Sequence, residues 1–411
     1  MRVFLMGMSL IFASMNLWAM DGARSSILSL NETVELARKN NPEILAARKK
    51  WEAMKSRTSS EKGYDKTGVF YQSMYSGRER SIGVSQDIPF PGKLHTKGKI
   101  AEKEALMEEE AYHAMENEVV AKVKSAYAEL FFAHKSIEIF NQNTDLMRHF
   151  SKAAESKYSV GKASQVDVLK AQVELSKMLT MLVTLEQEKE TAQVMLNILL
   201  NRNPEDPLGV PEEPRLANFN WSYQTLKETA LVNRPELLQS THHLHHSRIL
   251  LRSAWLEYLP DFMAEYSQRK ADNPEMDNTA DFRIGVSVPL WFTKQKGMTD
   301  AARREKERSE AEFETMRNMT LWKVKELLVK VQTAQRLIQL YRTSVIPQAE
   351  NALKVSESAY QSDRISFLDL VDIQRNLLQF KLEHYQHLAD YETTLAELER
   401  AVGKSLTETT P

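Results

Sequence analysis

Four histidines crowd five consecutive positions, His242, His243, His245 and His246, and two acids, Asp369 and Asp372, stand three residues apart. These are the residues whose types and spacing invite chemistry. On a helix, His242 and His246 lie one turn apart, a spacing that can hold a transition metal. The sequence adds no cysteine and no neighbouring acid to that ligand set, and a polar helix face is the plainer role. Two acids three residues apart share one helix face. Converging carboxylates attract cations, repel anions and raise one another's pKa; solvated helix acids or turn caps are the simpler alternative. The 18 methionines invite a copper reading, but five fall within residues 1–20 and the rest are scattered, as core or lipid-facing packing would place them. No His-Glu-x-x-His, Gly-x-Ser-x-Gly or Gly-rich phosphate loop ending in Lys-Ser/Thr occurs. The chain is therefore expected to be neither an enzyme nor a nucleotide-driven pump, and to need no cofactor.

Any such chemistry must be positioned by elements that the chain writes twice. Tyr158-x-x-Gly161-x-x-Ser164-x-x-Asp167-x-Leu169-x-x-Gln172 returns 202 residues later as Tyr360-x-x-Asp363-x-x-Ser366-x-x-Asp369-x-Val371-x-x-Gln374. Ile82-Gly83-Val84-Ser85 returns at the same offset as Ile284-Gly285-Val286-Ser287. Ala37-x-x-Asn40-Asn41-Pro42-Glu43 returns as Ala230-x-x-Asn233-Arg234-Pro235-Glu236. Three matches in one order indicate a duplicated unit far longer than a solenoid repeat. Asp369 has a mate in Asp167, whereas Asp372 aligns with Lys170, so Asp372 is the more distinctive of the two acids.

Only 13 glycines and 13 prolines occur in 411 residues, with 27% charged, which favours long helices. Residues 99–160, 162–203, 298–346 and 348–402 contain neither glycine nor proline. Sixty helical residues span roughly 90 Å. Leu175, Met178, Leu182 and Leu185, like Leu370, Ile373, Leu377 and Phe380, step by three and four in coiled-coil fashion. The turns near 159–164 and 361–366 then cap two long helical hairpins, and Pro347 should interrupt the second ascending helix. Ser29 and Glu32 suggest a capping box. Asn41-Pro42-Glu43 offers an N-cap, a first-turn proline and a first-turn acid. Residues 201–220, with Pro204, Pro207, Gly209, Pro211 and Pro214, read as the linker between a first repeat, 20–200, and a second, 221–403, followed by a short tail, 404–411.

The N-terminus reads as a secretion signal over 1–19: Arg2, an apolar run from Val3 to Leu17, and Leu17-Trp18-Ala19 at the cleavage point. The apolar run is shorter than a spanning helix needs. Without cysteine there is no disulfide and no lipid attachment, and a net charge of −2 gives no reason to expect nucleic acid. Between the helices the period changes to two. Strands are expected at about 67–75 and 81–88, and at about 262–270 and 281–289, joined by turns at 76–80 and 270–281. Apolar-out, polar-in strands beside tyrosines suit a membrane barrel. A small soluble sheet capping a coiled coil is the other reading. Four strands cannot close a membrane barrel, so several chains would have to contribute.

The Ala-x-x-Asn-Asn-Pro-Glu opening, the strand pairs ending in Pro89 and Pro289, and the two Tyr-x-x-Gly-like turns resemble, in order and over essentially the whole mature length, the TolC-like outer-membrane efflux proteins. That resemblance implies a mainly α fold with a small membrane β part, built as a homotrimeric α/β-barrel channel-tunnel. Each subunit would give four strands to a twelve-stranded barrel and its helices to a tunnel projecting into the periplasm. It implies an outer-membrane exit duct of a tripartite efflux or type I export system, with a periplasmic adaptor and an inner-membrane pump as partners. The short helices 30–60 and 222–257 would stack end to end with 164–201 and 366–402. Val160, Gly161, Ala163, Ser164 and Ser366 map onto the adaptor-docking turns, the aspartate at 363 departing from the family glycine. Asp369 and Asp372 map onto the constriction acids of the channel gate, and Tyr360 and Arg364 onto contacts holding the tip closed. Asp87-Ile88-Pro89-Phe90-Pro91-Gly92-Lys93 resembles the heavy-metal branch, with metal cations or small toxic molecules as cargo. A soluble periplasmic coiled-coil adaptor or scaffold is the alternative; the duplicated strand pairs argue against it.

Overall fold

The computed structural model describes residues 27–73, 79–214, 216, 219–271 and 279–406. The expected secretion signal, most of both strand turns and residues 407–411 of the tail lie outside them. The described chain is mostly helix, with a four-stranded sheet at one end.

The first half runs from the short strand β1 (Ile27–Leu28) through α1 (Leu30–Asn40) and α2 (Pro42–Ser60) to β2 (Gly68–Ser73) and β3 (Glu79–Ile88). The long helix α3 (Lys93–Ser159) and its return α4 (Gln165–Leu199) complete it. After β4 (Val210–Pro211) the order repeats: α5 (Tyr223–Asn233), α6 (Pro235–Leu256), β5 (Asp261–Ala271), β6 (Thr279–Ser287), α7 (Thr293–Leu340), α8 (Ile346–Gln361) and α9 (Phe367–Val402). At 67 residues, α3 is about 100 Å long. No helix among the described residues is long and apolar enough to cross a membrane.

Helix ends follow their residues, with one correction. Asn41 caps α2 by accepting from the Glu43 and Ile44 amides. The Ser29 hydroxyl makes no cap bond; its carbonyl instead receives both the amide and the hydroxyl of Thr33, so the capping box expected with Glu32 does not form. Pro347 leaves the ascending helix continuous but not α throughout. A π segment over Tyr341–Val345 intervenes between α7 and α8, just ahead of the ring that removes a donor and crowds the preceding turn. The Tyr341 hydroxyl ties this segment to Glu383 of α9 at 2.6 Å.

In each half a short helix pair and the return helix lie along one long helix. Asn41 Nδ2 donates to the Leu199 carbonyl at 2.9 Å, joining the start of α2 to the end of α4. The mate of that joint is closer still: a Cβ on Gly403 would lie 2.3 Å from the Asn233 carbonyl oxygen. Apolar packing is strung along the bundle in three clusters. One unites α1, α2, α3 and the end of α4, and one joins α5, α7 and α9 with Phe131 of α3. The third unites α3, α4, α8 and α9 at the far end.

The sheet order is β2-β3-β5-β6, antiparallel throughout, so the two halves meet at β3 and β5. Cross-strand register puts Val69, Val84, Tyr266 and Phe282 in one row, all exposed. Ile82, Ile284 and Val286 extend that apolar face. The other face is polar: Arg283 pairs with Glu265 at 3.4 Å, and Arg269 with Asp281 at 2.8 Å. The outer edges of β2 and β6 are unpaired among the described residues.

The segment 87–93 is a clamp between the halves. Gly92 takes the left-handed φ of 103° that opens α3. The Phe90 amide donates to Asp261 Oδ1 at 2.8 Å, and buried Lys93 donates to Asp261 Oδ2 at 2.9 Å and to the Leu259 carbonyl at 3.2 Å.

Candidate gate and docking surface at the helical tips

The two hairpin turns are built alike. Gly161 and Asp363 both adopt left-handed φ, 73° and 60°, immediately before their return helices. Glycine does this without cost, and aspartate is among the few other residues that tolerate it. Two residues after each turn's half-buried side chain the backbone re-enters a helix with a complete capping box. The Ser164 hydroxyl accepts from the Asp167 amide while Asp167 accepts from the Ser164 amide, and Ser366 and Asp369 do the same. Asp369 Oδ2 thus holds the α9 N-terminus, which is also where a helix dipole favours a negative charge.

Lys157, one residue before the repeated tyrosine, joins the two tips. Its ammonium donates to the Tyr360 carbonyl and to Asp363 Oδ1, and it sits 4.3 Å from the centre of the Tyr360 ring. Lys162 adds a second cation 3.9 Å from Asp363. The hydrogen bond from Lys157 is the main reason the Asp363 carboxyl is held below the usual carboxylate range. Tyr360 is buried, edge-on to Phe367, with a hydroxyl that finds no partner among the described residues. Burial, then the nearby Asp167 and Asp363 charges, push that phenol upward. Arg364 makes no side-chain hydrogen bond or ion pair among the described residues; its amide donates to the Ala359 carbonyl.

Behind the tips, Asp372 is exposed and paired with Arg375 at 3.0 Å. Arg375 in turn reaches across to Glu174 of α4, Nη2 to Oε1 at 2.5 Å. Burial raises Glu174, but the bonds from Arg375 and Lys177 outweigh it and leave the carboxyl lowered. Deeper in the bundle, wholly buried Gln374 donates to Asn143 Oδ1 at 2.9 Å, a polar link between α9 and α3. Cross-links at and behind the tips therefore tie the first hairpin to the second, among them Lys157 to Asp363, Glu174 to Arg375, and Asn143 to Gln374. Sequence spacing finds none of them, since each pair is separated by 201 residues or more. The docking candidates stand at the surface: Val160, Gly161, Ser164 and Ser366 are exposed and Ala163 is half-buried.

The histidines lie elsewhere, on α6 against α3 and α7. His246 stacks on His243, ring centres 6.3 Å apart, and its Nε2 lies 3.4 Å from Glu104 Oε1. His243 Nδ1 lies 3.9 Å from Glu312. The acids missing from the local sequence thus come from α3 and α7. Among the described residues no three His, Cys, Asp or Glu side chains, and so no set built on His242 and His246, are grouped to hold a metal.

A family model described as outer membrane efflux protein matches residues 33–202 and 226–404. The cobalt-zinc-cadmium resistance protein CzcC of Cupriavidus metallidurans is 22% identical over 343 residues, 80% of this chain and 78% of that one. The outer membrane protein TolC of Vibrio cholerae is 22% identical over 409 residues, 91% of this chain and 90% of that one. The Campylobacter jejuni CmeC outer membrane channel superposes with a TM-score of 0.78 at 16% identity, covering 91% of this chain and 85% of that one.

Proposed function

The chain belongs to the outer membrane efflux protein family, and we propose that it forms a homotrimeric, passive exit duct in the outer membrane, the outer component of a tripartite efflux system. The observation that carries this reading is the four-stranded sheet with one exposed apolar face, one charged face and two open edges. An open edge is a template for another strand, and a membrane tolerates only a sheet that closes. Three copies supply twelve strands, with Val69, Val84, Tyr266 and Phe282 toward lipid and the Arg283–Glu265 pair toward the lumen. The helices continue the duct into the periplasm. Residues 1–19 act as the export signal, and the two repeats, 20–200 and 221–403, each contribute one wall segment.

At the tunnel end, Val160, Gly161, Ala163, Ser164 and Ser366 dock the hairpins of a periplasmic adaptor, which in turn couples to an inner-membrane pump. Asp369 and Asp372 form the constriction, with Tyr360 and Lys157 holding the tip. Threefold symmetry would make Asp372 a ring of three carboxylates, each tempered by Arg375. Metal cations are the proposed cargo, supported by the likeness to the cobalt-zinc-cadmium resistance protein. Two experiments separate the duct from its cargo. The full chain should fractionate with the outer membrane, require detergent for extraction and run as a trimer; a periplasmic monomer would overturn the duct. Cells lacking the gene should accumulate cobalt, zinc or cadmium; unchanged metal content overturns the cargo alone.

A further inference from the structure

Three thioethers and an imidazole line one cleft of about 500 Å³ between α3, α6 and α7: Met107, Met316, Met319 and His243, with Arg308 and Glu312 at its wall. Antiparallel register brings them together. His246 beside Glu104 puts Met107, one turn further along α3, level with His243. Arg248 beside Glu310 and Arg234 beside Thr320 bracket the stretch of α7 that holds Met316 and Met319 against the same part of α6. The cleft offers a cation little opposition: Arg308 is engaged by Glu305 at 2.5 Å and Glu312 at 3.6 Å. Glu312 also stands 3.9 Å from His243 Nδ1, beyond hydrogen-bond reach but near enough to place a negative charge beside the imidazole and any cation it holds.

The donor set decides which cation fits. Hard and borderline ions want oxygen or several imidazoles, and no three acid or histidine groups are gathered among the described residues. Thioethers are soft, polarizable donors that select d10 monovalent ions. The geometry points to a binding site for a single soft monovalent cation, Ag+ or Cu+, held by His243 with the thioethers of Met107, Met316 and Met319. The site stands on the cleft alone and requires neither transport nor the trimer.

Equilibrium dialysis of the full-length chain in detergent against Ag+, in chloride-free buffer, tests it. Wild type should hold one tight equivalent per chain. Met107→Leu/Met316→Leu/Met319→Leu should lose it, while His243→Gln should weaken it by about tenfold or more. Leucine nearly conserves the volume of methionine, so unfolding without Ag+ should be unchanged. Should the triple variant fold poorly, His243→Gln, at a partly exposed position, carries the test by itself. Met181→Leu, at an exposed thioether on α4, should keep the equivalent. No tight equivalent in wild type, or one that survives both the triple variant and His243→Gln, overturns the site.

Discussion

Two carboxylates that look alike in the sequence are used differently. Asp369 spends its Oδ2 on the Ser366 amide and hydroxyl, whereas Asp372 is exposed and bonded only through Arg375 of the next turn. Asp372→Ala should therefore raise the divalent-cation concentration that half-blocks single-channel current several-fold, and unchanged block would remove Asp372 from the gate. Ser366→Ala should instead cost about 1 kcal/mol of stability through the lost cap, with block retained. A third carboxylate, which sequence reading passes over, titrates near neutrality. Burial pushes Glu392 up to about 7; Lys124 opposes the shift and Glu399 adds to it. A carboxyl that binds its proton more tightly folded than unfolded makes the fold lose stability as pH rises from about 4.5 to about 7. Glu392→Gln should accordingly raise the melting temperature at pH 8, corresponding to as much as about 3 kcal/mol, and give no gain near pH 4. A variant equally stabilised at both pH values would contradict a buried, proton-holding Glu392.

At the scale of elements, the duplication is most exact where the backbone is most constrained. Gly161 and Asp363 are mates, as are Asn201 and Gly403, and all four hold left-handed φ at the ends of α3, α8, α4 and α9. The same φ does not mean the same tolerance. A Cβ at Gly161 meets nothing within 4 Å, so Gly161→Ala should cost about 1–2 kcal/mol, the left-handed penalty alone. At Gly403 the Cβ would sit 2.3 Å from the Asn233 carbonyl oxygen, so Gly403→Ala must also pry α9 from the α5–α6 joint. Thermal unfolding should rank Gly403→Ala well below Gly161→Ala, and equal losses would contradict that close approach. The tip cross-link offers a functional reading at the same scale. Lys157→Met keeps the stem of the side chain but removes the hydrogen bonds to Asp363 and the Tyr360 carbonyl, and should raise channel conductance if the two hairpins hold each other closed. Asp363 is ionised above its lowered pKa and the bond fails as pH falls through it, so acid should bring wild type toward the variant; identical conductance at all pH values would dismiss the latch. The helices, strand pairs and fold class were legible because glycine-free runs and period-two stretches are local signals. Asn41 as a cap was legible for the same reason. Ser29 carried the same local signal as a capping box, yet Thr33 took its carbonyl instead. Lys157, Arg375 and the acids facing His243 and His246 were not legible, because their partners lie on other helices and no spacing along one chain encodes them. The π segment was half legible: Pro347 announces a fault in the helix but not how Tyr341–Val345 absorbs it.

On the scale of the whole molecule, the chain leaves unfinished what it repeats. The helical part packs its apolar side chains into three successive clusters, but the sheet keeps Val69, Phe282, Ile284 and Val286 in the open and, among the described residues, leaves the outer edges of β2 and β6 unpaired. Helix α4 adds a second exposed apolar line through Val166, Leu169, Val173 and Val183. In water such a surface favours aggregation; in the proposed trimer, with three copies side by side in a bilayer, the sheet would close and its apolar face would meet lipid. The absence of cysteine makes closure directly testable. One cysteine on β2, at Phe70 or Gln72, combined with one on β6, stepped through Thr279, Asp281 and Arg283, should at the matching register oxidise into covalent trimers. Mismatched registers should give none, because bridging requires Cα atoms within about 7 Å. The ladder on a denaturing gel should stop at three chains, since a ring whose last edge meets its first has no site for a fourth. Open-ended ladders would mean stacking through exposed edges, and the absence of any intermolecular bond at every register would mean that β2 and β6 do not meet. Either result would remove the barrel, and with it the outer-membrane duct, while leaving the helical bundle and its cross-links as they stand.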